Sequence, residues 1–309
     1  MQTWVVLLKD SSCLRGRRYS IIRDTPAKTR LSVEARSFLM SEQTRYFPER
    51  FKVASQFYTT GRPTYPPLLS RRVAASVGVG KLDRVLDLGT GPGFLAIDFA
   101  PLVQTVTAID PATEMLGIAS ENAARAGVDN IRVLRGASYD IGPELGRFKL
   151  VTIGRAFHWM DRVQTLKVLD ALVERTGAVT LFGESYPDVP ANAWHREFQA
   201  IVDSYSSADP ARPQIRERAT NEAVLLDSAF GHLERISVLE RRGTPIERFV
   251  DRALSFASTW AGRPGSREQD LALEIRAAIG EHADAQGLVH EVIEGHALIA
   301  RRPHDLAAN

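Results

Sequence analysis

The stretch Val85-Leu86-Asp87-Leu88-Gly89-Thr90-Gly91-Pro92-Gly93-Phe94 decides the fold. An apolar run interrupted by Asp87 ends abruptly in three glycines spaced two apart. The run reads as a buried parallel strand, and the glycines as the turn that follows it. Without a Cβ in the way, backbone there can approach a ligand closely. In a doubly wound sheet, ligands bind at this end of the strands. The spacing departs from G-x-G-x-x-G, in which the third glycine allows close packing of helix on strand. That position is Phe94. Pro92 also removes an amide from a turn that would otherwise cradle phosphates. The loop is therefore suited to pass beneath a nucleotide-type ligand, and less suited to hold a pyrophosphate.

The next strand supports the same ligand class. Val106-Thr107-Ala108-Ile109-Asp110 is β-rich and ends in an acid, 21 residues after Gly89. At that offset a carboxylate on the neighbouring strand meets a ribose diol. Pro111-Ala112-Thr113-Glu114-Met115-Leu116 then opens a helix. Together these segments resemble motif I and the following acidic motif of class I S-adenosylmethionine-dependent methyltransferases. Downstream, Phe148 to Asp161 is similar to the family's fourth strand and exit loop. Its Ala156-Phe157-His158-Trp159-Met160-Asp161 ending resembles a small-molecule branch, the methyltransferase type 11 or trans-aconitate methyltransferase-like proteins. Tyr58-x-x-Gly61-Arg62-Pro63-x-Tyr65-Pro66 resembles the entry segment of that branch, and Phe249 to Gly262 its late helix. The resemblance spans about residues 42 to 303, with four motifs in the family's order. Two positions differ from the family pattern: Lys149 stands in place of Asp, and the acid after strand three is Asp140, beside Tyr139.

The resemblance implies S-adenosyl-L-methionine as cofactor and methyl transfer to an oxygen or nitrogen of a small molecule. Such a reaction needs alignment of donor and acceptor and exclusion of water, with no metal. Gly89, Thr90, Gly91 and Gly93 would meet the methionine part, and Asp87 would orient the loop or meet the amino group. Asp110 would accept both ribose hydroxyls, since an ionised carboxylate is acceptor-only. Ala112 or Met115 would pack on adenine, with Ala137 and Ser138 at its edge. Phe157 would close the cofactor site at the exit of strand four. His158 is the candidate catalytic base, because its ordinary pKa lies near neutrality; packing is its bland reading. Tyr58, Arg62, Tyr65 and Trp159 are the candidate acceptor-side residues, Arg62 as a planar fork for a carboxylate of cofactor or substrate. The bland reading of Arg62 and Tyr65 is a proline-fixed turn.

Composition excludes several classes. The single cysteine, Cys13, provides neither a disulfide framework nor a cysteine-based metal site. No long apolar segment is present, so a cytoplasmic protein without a membrane partner is expected. Residues 1–40 hold eight Lys/Arg and three Asp/Glu. Subtracting these from the chain's 39 and 37 leaves 31 basic and 34 acidic residues, a mildly acidic body that gives no support for nucleic-acid binding. The basic leader, residues 1–41, is expected to be disordered or to precede the true start at Met40. A transit peptide is the alternative, given its arginines and serines.

The expected fold class is α/β, a doubly wound seven-stranded mixed sheet of Rossmann-like methyltransferase type. It would occupy residues 42–309 as a monomer or homodimer, with a small helical cap inserted over about 185–231. The rhythm predicts helices over 67–77, 94–102, 113–126, 161–174, 246–260 and 267–281. It predicts later strands over 131–134, 178–182, 233–239 and 288–300, with Gly177 as a helix stop. Two rival functions belong to other classes. A nicotinamide-dependent oxidoreductase is opposed by Phe94, and a non-catalytic cofactor-binding protein would bind without transferring.

Overall fold

The computed structural model describes residues 48–206, 219–256 and 267–303. The leader and the Trp260 end of the expected late helix lie outside them. Strand β1 (Arg84–Leu88) is an interior strand, third in a seven-stranded sheet of order β3-β2-β1-β4-β5-β7-β6. It pairs with β2 (Thr105–Asp110) and β4 (Phe148–Gly154), β3 (Ile131–Arg135) pairs with β2, and β5 (Val173–Ser185) pairs with β4, all parallel. The last two, β6 (His232–Pro245) and β7 (Leu288–Arg301), form an antiparallel pair, and β7 runs antiparallel to β5.

Strand composition explains the two layers. Val85 points into one core with Val106, Ala108 and Leu150, whereas Leu86 and Leu88 point into the other with Val151 and Ile153. A strand apolar on both sides needs helices over both faces. Helices α2 (Pro67–Val77) and α3 (Phe94–Phe99) cover the first core through Leu69, Val73, Leu95 and Phe99. Helix α5 (Arg162–Leu172) covers the second through Leu166, Leu169 and Leu172. Local signals set the helix ends. Pro67 opens α2 and left-handed Gly78 closes it. Asp161 caps α5 by accepting the Gln164 amide at 3.0 Å. Helix α4 (Thr113–Ala126) ends on left-handed Gly127.

Four boundaries differ from expectation. Gly177 does not stop a helix, because α5 ends at Leu172 and β5 runs through the glycine. The β4–β5 register shifts between Phe148 and Leu150, and a Cβ on Gly177 would stand 2.7 Å from the Lys149 carbonyl oxygen. The glycine thus serves a bulge. The helix expected over 94–102 stops at Phe99 and tightens into a 3₁₀ turn over Ala100–Leu102, where Pro101 lacks the amide. Strand six runs on to Pro245, since every residue of β6 pairs with β7. The late helix ends early, at Leu254.

A third core gathers helices around Val289 of β7. Helix α6 (Trp194–Ser206) contributes Trp194, Phe198 and Val202, α8 (Ile246–Leu254) contributes Phe249 and Ala253, and α9 (Glu268–Gly280) contributes Leu271 and Ile275. Helix α7 (Asn221–Leu226) instead places Val224 and Leu225 in the α5-side core. The residues expected as one cap over 185–231 are thus divided between two cores, and α6 is completed by elements from beyond that range. Helix α1 (Pro48–Gly61) packs on α8. Among the described residues, no helix is long and apolar enough to cross a membrane.

Candidate functional site

The glycine loop leaves β1 with three left-handed residues, Gly89, Gly91 and Gly93, at φ of 72°, 55° and 83°. Each has a different spatial reason. A Cβ on Gly89 would stand 2.6 Å from that of Ala156, so the loop abuts the exit of β4. A Cβ on Gly93 would stand 3.2 Å from that of Ala119, so this glycine seats α3 against α4, the packing role that Phe94 cannot fill. Gly91 faces open space, with nothing within 4 Å of the Cβ position. That bare surface looks onto a cleft. Tyr58, Tyr65, Asp87, Gly89, Thr90, Gly91, Pro92, Phe94, Leu95, Gly154 and Arg155 line it.

Two buried acids hold the loop. Asp87 accepts the Thr90 hydroxyl at 2.5 Å and the Thr152 hydroxyl at 2.8 Å. Burial pushes its pKa up to about 6, although these hydroxyls and the Ala96 amide oppose the rise. Of the two roles expected for Asp87, orienting the loop is the one these bonds perform. Asp110, at the end of β2, accepts the Gly91 amide on one oxygen and the Ala112 amide on the other, both at 2.9 Å. Burial raises its pKa too, against the pull of those two amides. Each carboxylate oxygen keeps a further lone pair for a ligand hydroxyl.

Beyond Asp110, Ala112, Met115 and Ala137 are buried and Ser138 is partly exposed around the ends of β2 and β3. Asp140 accepts the Ala137 amide at 2.8 Å, so the acid after β3 fixes that turn. Phe157 is 3% exposed and packs in the α5-side core, which makes its ring a wedge under the exit loop. His158 and Trp159 follow on the same 3₁₀ turn, partly exposed, with ring centroids 4.8 Å apart. They lie beyond the cleft wall, which at β4 is formed by Gly154 and Arg155.

The entry segment is built into the sheet. A Cβ on Gly61 would meet the Asp251 backbone, and Pro66 occupies the space that a Cβ on Gly295 would need. Arg62 does not line the cleft. Its Nε donates to the Ser255 hydroxyl at 2.9 Å, its guanidinium lies 4.1 Å from the Phe256 ring centroid, and Glu184 is 3.8 Å away. Burial lowers the pKa of Arg62, with Tyr58 and Glu184 only partly opposing it. Tyr65 is buried beneath Arg155, 4.8 Å from the guanidinium to the ring centroid.

Two residues of this region were not expected in the site: Arg155 and Glu184. Arg155 follows β4 at φ 55°, the one non-glycine residue with positive φ among those described. It donates to Glu184 at 3.1 Å. Burial works against the charge of Arg155, but Glu184, Tyr65 and Tyr58 hold its pKa well above the usual arginine value. Burial would raise Glu184, yet Arg155 and Arg62 hold it below the usual range. The signal in the sequence was position alone, one residue past β4 and two past the last buried apolar residue of β5. Among the described residues no three His, Cys, Asp or Glu side chains gather to hold a metal ion.

Residues 85–177 match the family model for a methyltransferase domain. Over 108 residues the chain is 30% identical to the uncharacterized methyltransferase YcgJ of Bacillus subtilis (strain 168), covering 35% of this chain and 43% of that protein. An uncharacterized methyltransferase of Mycobacterium bovis is 27% identical over 158 residues, 51% of this chain and 60% of that one. The chain thus spans about half the length of the curated relatives it matches. Its fold is shared with a SAM-dependent methyltransferase from Thiobacillus denitrificans solved in complex with S-adenosyl-L-homocysteine. That likeness has a TM-score of 0.50 at 14% identity and covers 83% of this chain and 99% of that one.

Proposed function

We propose that this chain, which carries a class I S-adenosylmethionine-dependent methyltransferase domain, transfers a methyl group to an oxygen or nitrogen of a small molecule. In this reading it works in the cytoplasm, as a monomer or homodimer. The observation that carries the proposal is the Gly91–Asp110 contact. It brings a bare loop and a ribose-reading carboxylate together at adjoining carboxyl ends of β1 and β2. The bound cofactor supplies a methyl group already activated on a sulfonium.

The chain's own residues then bind, orient and exclude water. Gly89, Thr90 and Gly91 lie along the methionine part, and Gly93 keeps the loop close to α4. Asp110 takes the ribose hydroxyls on its remaining lone pairs. Ala112, Met115, Ala137 and Ser138 flank the adenine, and Phe157 supports the floor from the core. Tyr58 and Tyr65 close the cleft from the entry segment, while Trp159 borders the acceptor. His158 takes a proton from a hydroxyl or amine acceptor, a step that a carboxylate acceptor would not need. Arg62 supports the entry segment through Ser255 and Glu184 instead of meeting a substrate.

Calorimetry with S-adenosylhomocysteine and with NAD tests the cofactor: binding of the first and none of the second is expected. Binding of NAD alone overturns the reading. Methyl transfer from labelled cofactor across an acceptor library tests the activity, and cofactor binding without any transfer would favour a non-catalytic role. In that assay His158→Ala should lower turnover roughly 10²-fold or more with unchanged cofactor affinity, the usual scale for a general base. Full turnover removes His158 from the chemistry.

A further inference from the structure

We propose that Arg155 receives the α-carboxylate of the cofactor's methionine end, and that Glu184 is the positioning residue that holds Arg155 for it. The inference rests on the methyltransferase reading above. Among the residues lining the cleft, Arg155 is the only cation, and it stands on the β4 wall across from the bare loop. The loop offers nothing with positive charge to a carboxylate.

The guanidinium is half used. One terminal nitrogen, Nη1, donates both to Glu184 and to the Pro63 carbonyl, each at 3.1 Å. Its Nε is buried with no acceptor. A buried N–H without an acceptor is costly, and is expected where a ligand completes the site. Arg–carboxylate pairing uses two parallel N–H groups of the fork, so an anchored Nη1 leaves the other edge for the ligand. The rings of Tyr65, Tyr58 and Phe94 surround the guanidinium at 4.8, 5.7 and 6.0 Å. Tyr58, on α1, is only partly buried and lines the cleft beside the guanidinium.

The charges call for the same ligand. Arg62 and Arg155 share one carboxylate, Glu184, which leaves this buried group with a net positive charge. Arg252 and Glu291 nearby satisfy each other and contribute none. A carboxylate placed against Arg155 offsets that charge locally, and an amino-acid end carries one beside its own ammonium. The backbone makes the placement deliberate. Arginine at φ 55° is strained, and such strain persists where surrounding structure enforces it. The Arg155 amide is fixed to the Phe182 carbonyl at 3.1 Å, and β4–β5 pairing brings Gly154 beside Phe182, two residues before Glu184.

The test compares two ligands that share adenosine and sulfur. S-adenosylhomocysteine has the amino-acid end, and 5′-methylthioadenosine lacks it. By calorimetry, Arg155→Gln should weaken S-adenosylhomocysteine about 10- to 100-fold, the range for a charge-assisted hydrogen bond, and leave methylthioadenosine unchanged. Arg155→Lys, which keeps the charge, should retain part of the preference and serves if the glutamine variant does not fold. Glu184→Gln should reduce the preference by a smaller factor, again without touching methylthioadenosine. Equal weakening of both ligands would make Arg155 a structural residue, and weakening of neither would leave it outside the site; either overturns the inference. A wild-type chain that binds neither ligand defeats the methyltransferase reading itself, a result distinct from both.

Discussion

Asp87 and Glu291 are equally hidden, each 1% exposed, and the fold treats them in opposite ways. Glu291 is gripped by Arg252 through two bonds of 2.9 and 3.0 Å and by the Thr244 hydroxyl at 2.6 Å. Asp87 has no cation; hydroxyls and an amide hold it, and its pKa is pushed up to about 6. The same division separates two regions. Where α8 meets β7, the acid Glu291 is paired with Arg252 and its charge serves the architecture. Around the glycine loop, Asp87, Asp98 and Asp110 are held by neutral donors, and their charge remains for a ligand or is a burden.

Removing a paired acid should therefore hurt the fold most. Glu291→Ala strands Arg252 in the core and should cost about 3–5 kcal/mol in urea denaturation. Adding Arg252→Met should recover part of that, and a cost below about 1 kcal/mol would dissolve the distinction. Next comes Asp110→Ala, which removes two amide contacts and the ribose acceptor. Affinity for S-adenosylhomocysteine should fall roughly 100-fold, with a smaller loss of stability. If stability fell and affinity held, Asp110 would belong with the architectural acids.

The smallest effect should have the opposite sign. Asp98, on α3, accepts the Ser70 hydroxyl at 3.1 Å, and burial raises its pKa to about 6 from 3.8. Between those values the folded state binds more protons than the unfolded chain, so stability falls as pH rises through that window. Asp98→Asn should then be the more stable protein at pH 7, by on the order of 1 kcal/mol, and lose its advantage below about pH 4. Parallel thermal melts at pH 4 and 7 decide it; an unchanged difference would mean that burial does not govern Asp98.

The two regions also differ in how far the sequence reveals them. Strand β1, its loop and Asp110 were legible because local rules suffice: an apolar run, glycines at required conformations, and an acid at a fixed offset. The doubly wound sheet followed from the alternation of such units. The packing role of Gly93 was missed, since it depends on Ala119 in another helix. Arg155 and Glu184 were missed because their partnership joins the ends of β4 and β5, and no local pattern marks a pair across strands. The cap was drawn as one insertion because α6 and α7 are neighbours in sequence. Their apolar faces turn to different cores, which only the assembled chain specifies.

Gly61 also fixes an order of events. It seats against α8, and its carbonyl accepts from Arg252, 191 positions later in the chain. A ribosome adding about 5–20 residues per second leaves the entry segment without that seat for roughly 10–40 seconds. During that interval β1 to β5 emerge and can pair while Tyr58 has no fixed place over the cleft. The entry segment over the cleft therefore gains its seat only after α8 has been made.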